Sequence, residues 1–193
     1  EICIILMLWG TLLILAKCYE ILRHRYIFDV DLLSGASEEK DDLKSVLKTI
    51  EDLPDKLRNT PLVRVLASSL RRFLITDNIQ NTSDAIESSI EALATKLEAE
   101  NSMIRYLIWA IPSIGFIGTV RGIGEALSQA DQALAGDIAG MTDSLGVAFN
   151  STLVALLISI GLMFLLHQLQ RLQVGLVVDA QKYCEKYLLN RIS

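Results

Sequence analysis

The chain has 193 residues, 51% of them hydrophobic and 21% charged, with 23 acidic against 18 basic side chains for a net charge of −5. A mean hydropathy of +0.39 is high for a chain carrying that many charges, so the apolar and charged populations must be segregated along it. The acidic balance argues against nucleic acid as the main ligand, because phosphate binding needs a basic stripe. Cys3, Cys18 and Cys184 are too scattered for a disulfide framework or a zinc site.

Three apolar stretches, at about 2–16, 104–120 and 144–166, alternate with segments rich in Lys, Arg, Asp and Glu. A membrane-spanning helix needs roughly 20 mostly apolar residues, which the third stretch supplies outright. The second borrows Met103 and the Gly-rich turn after Thr119. The first begins at Glu1-Ile2-Cys3 without an initiator Met and reads as a trimmed native span. The alternative for Ile2 to Ala16 is a secretory signal, against which stand the lack of a preceding basic residue and of a small-residue cleavage site. The expected organisation is a first transmembrane helix at 1–17, a cytoplasmic helical region at 18–103, a second transmembrane helix at 104–124, a short external loop at 125–142, a third transmembrane helix at 143–168 and a cytoplasmic C-terminal helix at 169–193.

Orientation follows from the basic residues, which are retained on the cytoplasmic side of a span. Twelve lie from Lys17 to Lys96, and Arg171, Lys182, Lys186 and Arg191 follow the last span. None lies between Gly122 and Thr142, a loop whose charges are Glu125, Asp131 and Asp137. The N-terminus is therefore expected outside and the C-terminus in the cytoplasm. Arg71-Arg72 and Arg23-His24-Arg25 read as juxtamembrane retention or lipid-headgroup contacts.

After the first span, Ser34-Gly35-Ala36-Ser37 breaks the pattern, and Ser37 is positioned to cap a helix carrying Leu43, Val46, Leu47 and Ile50 on one face. Pro54 ends or kinks it. Thr60-Pro61 is a second start signal, opening an amphipathic segment through Leu62, Leu66, Leu70 and Phe73. Asn78 to Ser83 reads as a turn. Ser83 then starts a helix with Ile86, Ile90, Leu93 and Leu97 on one face, expected to run without a break into the second span. Leu169, Leu172, Leu176 and Tyr183 keep helical spacing beyond the third span. The fold class is thus an all-α integral membrane protein with long cytoplasmic helical extensions.

Chemistry concentrates at Ile111 to Gly122. Pro112 withholds a backbone hydrogen bond and frees a carbonyl, which a membrane tolerates where another helix, a hydroxyl or water can satisfy it. Gly118 and Gly122 form a GxxxG spacing continued by Gly115, a surface that lets another helix approach closely. Thr119 places a hydroxyl in the span, and Arg121 follows. Each feature alone reads as ordinary membrane-helix packing.

Together, Pro112-x-x-Gly115-x-x-Gly118-Thr119-Val120-x-Gly122 resembles the first pore-lining helix of the MotA/TolQ/ExbB proton-channel family. Met141-Thr142-Asp143-Ser144-Leu145 resembles the acidic mouth of its second, and residues 146–166 the apolar helix that follows. The resemblance is strong over about 100–170, and the three-span order is similar to the TolQ/ExbB arrangement. It departs where the family often carries Thr after the acidic residue, since this chain has Ala148. Asn150, seven residues from Asp143 and on one helical face with Val147 and Val154, is read as supplying that polar function, with Thr152. The glycosylation pattern at Asn150-Ser151-Thr152 lies inside a span and is set aside.

Residues 106–120 and 144–166 contain no Asp, Glu, Lys, Arg or His, so these helices offer hydroxyls and an amide but no titratable relay for a proton. The resemblance implies that several copies, expected as a homo-pentamer in a bacterial inner membrane, surround single-span partner helices of the ExbD/TolR/MotB kind, whose membrane Asp carries the proton. Thr119, Asn150, Thr152 and Asp143 are then the expected ion-pathway residues, with Na+ the alternative coupling ion. Asp143 and Glu125 would concentrate protons at the outer mouth, with Arg121 pairing to Glu125 at i, i+4 or to a neighbouring acid. A helix-N-terminal acid is the other reading of Asp143. No cofactor is expected. The rival function is a non-conducting scaffold built from the same helices. An enzyme is disfavoured because no HExxH, phosphate-loop Lys, CxxC pair or nucleophile elbow occurs, and His24 and His167 read as interfacial.

Overall fold

The computed structural model describes residues 2–24 and 40–190. The Ser34–Ser37 break, the Ser37 cap and Arg25 of the first basic cluster lie outside the described residues. Among those described, the chain is helical throughout: α1 (Ile2–His24), α2 (Lys40–Glu51), α3 (Asp55–Arg58), α4 (Pro61–Thr76), α5 (Ile79–Glu100), α6 (Ser102–Ser128), α7 (Ala130–Leu134) and α8 (Ala139–Cys184), the last followed by a π-helical turn, Glu185–Leu189. Three helical stretches are long and apolar enough to cross a membrane, within Ile2–Arg23, Ile79–Ser128 and Ala139–Leu189.

The chain divides into two compact units, Glu1–Lys17 with Asn101–Leu169, and Cys18–Glu100 with Gln170–Ser193. In the first, α1, α6 and α8 bury Ile14, Ile104, Leu107, Ile111, Ala148, Ala155 and Leu162. A Cβ added at Gly10 would touch both methyls of Leu162 at 3.4 Å and one of Leu107 at 3.7 Å, so α1 lies against the other two helices at that point. The outward faces carry Leu8, Leu12, Trp109, Phe116, Phe149 and Phe164 in the open. So much exposed apolar surface suits a lipid solvent and would be an aggregation hazard in water.

The second unit is built as a water-soluble bundle is built. Leu43 and Ile50 of α2, Leu62, Leu66, Leu70 and Phe73 of α4, Ile86 and Ile90 of α5 and Tyr183 and Leu188 near the C-terminus form one core. Burying each such Leu or Ile contributes about 1.5–3 kcal/mol relative to leaving it exposed.

Two local expectations need correcting. The turn placed at Asn78 to Ser83 is shorter: α4 closes on Asp77, in the left-handed region at φ 50°, and α5 begins at Ile79. Asn78 sets that start, since its side-chain oxygen accepts from the Asn81 amide at 3.1 Å and its carbonyl from that of Thr82 at 3.1 Å. Thr60 does occupy the N-cap of α4 with Pro61 after it, but its hydroxyl donates back to the Leu57 carbonyl at 2.6 Å instead of accepting from the helix. The run from α5 to α6 is broken only at Asn101, whose φ of −82° and ψ of −7° are near helical and whose carbonyl accepts from the Arg105 amide at 3.0 Å.

Cys184 is enclosed in the second unit's core, and burial, with the Glu185 carboxylate adding to it, pushes its thiol up to about 12. Only the thiolate attacks a maleimide, so at pH 8 Cys184 should label on the order of a thousandfold more slowly than a free cysteine. Mass spectrometry of peptides before and after denaturation checks this. Labelling at the free-thiol rate in the folded protein would mean that the core opens readily.

Candidate functional site

The site grows from the small side chains of α6. Gly115, Gly118 and Gly122 recur at spacings of three and four, and α8 answers antiparallel with Ala155, Ser151 and Ala148. A Cβ at Gly115 would lie 2.5 Å from the Ala155 Cβ, one at Gly118 2.8 Å from the Ser151 hydroxyl, and one at Gly122 2.5 Å from the Ala148 Cβ. The glycines are therefore required for close approach, and their partner is the next span of the same chain. In lipid such contacts rest on van der Waals packing, which falls off steeply with separation.

This seam also explains Ala148. Its Cβ fills the space left by the hydrogen of Gly122, where a bulkier residue would collide with the α6 backbone. The matching pattern on α8, small residues at 148, 151 and 155, was present in the sequence with the same periodicity as the glycines, and it is the signal that pairs the two helices.

Along the seam the polar groups satisfy one another. The Thr119 and Thr152 hydroxyls are hydrogen-bonded together; Thr152 donates to the Gly115 carbonyl at 3.0 Å, and the Ala148 carbonyl lies 3.1 Å from Thr119 Oγ1. Each threonine has one proton to give, and both are used inside the seam. The Ser151 hydroxyl donates to the same Ala148 carbonyl at 2.8 Å.

Three residues before Gly115, Pro112 has its expected consequence. Lacking an N–H, it cannot bond the Ile108 carbonyl four residues back. Ser159 of α8, 7% exposed, donates its hydroxyl to that carbonyl at 2.8 Å. The sequence said that some group must do this. It did not say that Ser159 would.

Asn150 is placed elsewhere. It is exposed on the α8 face that also carries Asp143, Val147 and Val154, turned away from the seam that holds Thr152. Of the expected ion-pathway residues, the structure brings together Thr119 and Thr152 and sets Asn150 with Asp143 on a second face. The second face is open in a single chain, Val147 being 67% exposed.

At the mouth, Asp143 sits one turn inside α8, beyond the first-turn position that would have made it a macrodipole partner. Asp137 takes the capping role instead, accepting from the Ala139 amide at 3.3 Å. Gln129, which sequence reading did not single out, ties the loop across by donating to the Ser144 hydroxyl at 3.2 Å. The expected pairing of Arg121 with Glu125 is not formed, nor is one with any other acid: both side chains are exposed and make no ion pair among the described residues. The cation here precedes the carboxylate along the helix, the less favourable order at i, i+4, and an exposed pair contributes at most about 1 kcal/mol, too little to hold two solvated side chains together. Among the described residues no group of three His, Cys, Asp or Glu side chains is gathered to hold a metal ion.

A family model described as the MotA/TolQ/ExbB proton channel family matches residues 57–182, more than half of the chain. No curated protein and no solved structure matches it.

Proposed function

Because the chain belongs to the MotA/TolQ/ExbB proton channel family, we propose that it is the ring-forming subunit of an ion-driven inner-membrane motor or energy-transducing complex. Several copies, five by the family pattern, would surround the single span of a partner bearing a membrane aspartate, and the coupling ion would be the proton. The N-terminus would face outward, with 18–103 and 169–193 in the cytoplasm, as the distribution of basic residues supports.

The observation that carries this reading is a pair of family-matched spans with no titratable side chain in 106–120 or 144–166. Such helices can bound a wet path but cannot relay a proton alone, so the carrier must be brought by another chain. The α8 face with Asp143, Val147 and Asn150, left open in one chain, is the surface we assign to the partner and to the neighbouring copy. Each proton crossing ~100 mV would release about 2.3 kcal/mol to move one component against the other.

One observation favours a second reading, a non-conducting scaffold. The Thr119 and Thr152 protons are already committed within the seam, which makes the pair an assembly device as much as a pore lining. Proton uptake into vesicles containing this chain and its co-purifying single-span partner separates the two. Conduction requires flux several-fold above vesicles whose partner has its aspartate replaced by asparagine. Equal flux in both would leave the scaffold. Sodium uptake measured in the same two sets of vesicles distinguishes the coupling ions, because a sodium path would show the partner-dependent difference in Na+ and not in protons.

A further inference from the structure

Arg71 belongs to a basic pair that the ion pathway leaves unused, and in the second unit it borders a cleft of about 410 Å³ between α2, α3, α4 and α5. Arg64 and Arg71 stand on one face of α4, two turns apart, with Ser68 between them. Lys96 of α5 and Arg58 of α3 complete the rim. The rest of the lining is largely apolar, with Ile50, Val65 and Leu93, apart from the Ser68 and Ser89 hydroxyls, which meet at 2.8 Å.

Four cations face one carboxylate, Glu51, within this cleft, although the whole chain carries −5. Three of them are paired with carboxylates: Arg71 with Glu51 at 2.5 Å, Arg58 with Asp55, and Lys96 with Glu100 at 3.8 Å. The pairing side chains are 40% to 78% exposed, where ion pairs are weak and easily exchanged for a stronger anion. Arg64 has no ion-pair partner among the described residues. One guanidinium is thus left without a carboxylate beside three exposed pairs, and an anion with several acceptor oxygens could draw on all four cations at once. A guanidinium fork suits the geometry of phosphate oxygens, and the volume lies in the range of small-molecule sites.

We propose that this cleft binds a phosphate-bearing molecule, either a small soluble phosphate or the headgroup of an anionic lipid, held by Arg64, Arg71, Lys96 and Arg58 beside the Ser68 and Ser89 hydroxyls. The site is independent of ion conduction. It would give the helical region outside the spans a ligand of its own.

Native mass spectrometry of the full-length chain, released from neutral detergent, tests this in two arms, one with inorganic pyrophosphate and one with phosphatidylglycerol. The expected result is one saturable adduct per chain, in the pyrophosphate arm for a soluble ligand or in the lipid arm for a headgroup. Arg64→Gln with Lys96→Gln should weaken it at least about tenfold, since each lost charged contact is worth roughly that factor. A control, Arg171→Gln with Lys182→Gln, removes the same charge outside the cleft and should leave binding unchanged. All four positions are exposed and helical, so both variants should keep the parent circular dichroism. Equal weakening by the two variants, or no adduct in either arm, would overturn the proposal. So would capture of a polyglutamate peptide without any phosphate adduct, which would assign the cleft to an acidic protein segment.

Discussion

Gly115→Ala should destabilise the α6–α8 pair by about 1–3 kcal/mol, the usual cost of forcing a methyl group into a filled interior. The added carbon would lie 2.5 Å from the Ala155 Cβ, while the next nearest atoms, Thr152 Cα and the Ser151 carbonyl oxygen, are at 3.4 and 3.5 Å. Removing the Ala155 methyl leaves only ordinary contacts, so the exchange Gly115→Ala with Ala155→Gly should recover most of the loss. The seam's other end should behave differently. At Gly122 a new Cβ meets the Ala148 Cβ at 2.5 Å but also its Cα at 3.1 Å, and backbone cannot be cut away. Gly122→Ala with Ala148→Gly should therefore recover only part of the loss. Unfolding by SDS titration, followed by circular dichroism, measures all of these variants. If the two exchanges recovered equally, or Gly115→Ala cost nothing, α6 and α8 would not be paired through these glycines.

The second large effect lies at Pro112 and Ser159. Ser159→Ala alone removes the donor that satisfies the Ile108 carbonyl, and a carbonyl left bare in lipid should cost about 1–2 kcal/mol. Pro112→Ala restores an N–H at position 112 in helical register with that carbonyl. In that background Ser159→Ala should cost almost nothing, giving a coupling energy of about 1 kcal/mol or more between positions 112 and 159. Strict additivity in the double-mutant cycle would mean that the serine does not answer the proline. Proton flux measured on the same variants would report whether Pro112 serves the proposed conduction.

The helices outside the spans were legible because burial in water leaves a strong period. Leu62, Leu66, Leu70 and Phe73 repeat at the helical interval, and all are in the core. Thr60-Pro61 marked the start of α4 because proline costs nothing where no N–H partner exists. The turn before α5 was overdrawn, since Asn81, Thr82 and Ser83 have turn-forming side chains that a single Asx cap at Asn78 overrides. Arg121 and Glu125 had the spacing for a pair but not the energy, and spacing alone carries no account of solvent competition.

Sequence by itself determined the three apolar stretches, the close-packing glycines, the freed carbonyl at Ile108 and the lack of Asp, Glu, Lys, Arg or His in 106–120 and 144–166. Each follows from what one residue type offers a lipid interior: length of apolar chain, absence of a Cβ, absence of an N–H, absence of a titratable group. Only the tertiary structure decided the partners. Gly115, Gly118 and Gly122 could face any helix, and the fold gives them Ala155, Ser151 and Ala148. Thr152 and Asn150, two residues apart, fall on different faces of α8, one in the seam with Thr119 and one in the open. In lipid nearly every surface is apolar, so hydropathy does not say which face of a helix is inside. Shape and hydrogen bonding decide that, and both belong to pairs of helices, not to either helix alone.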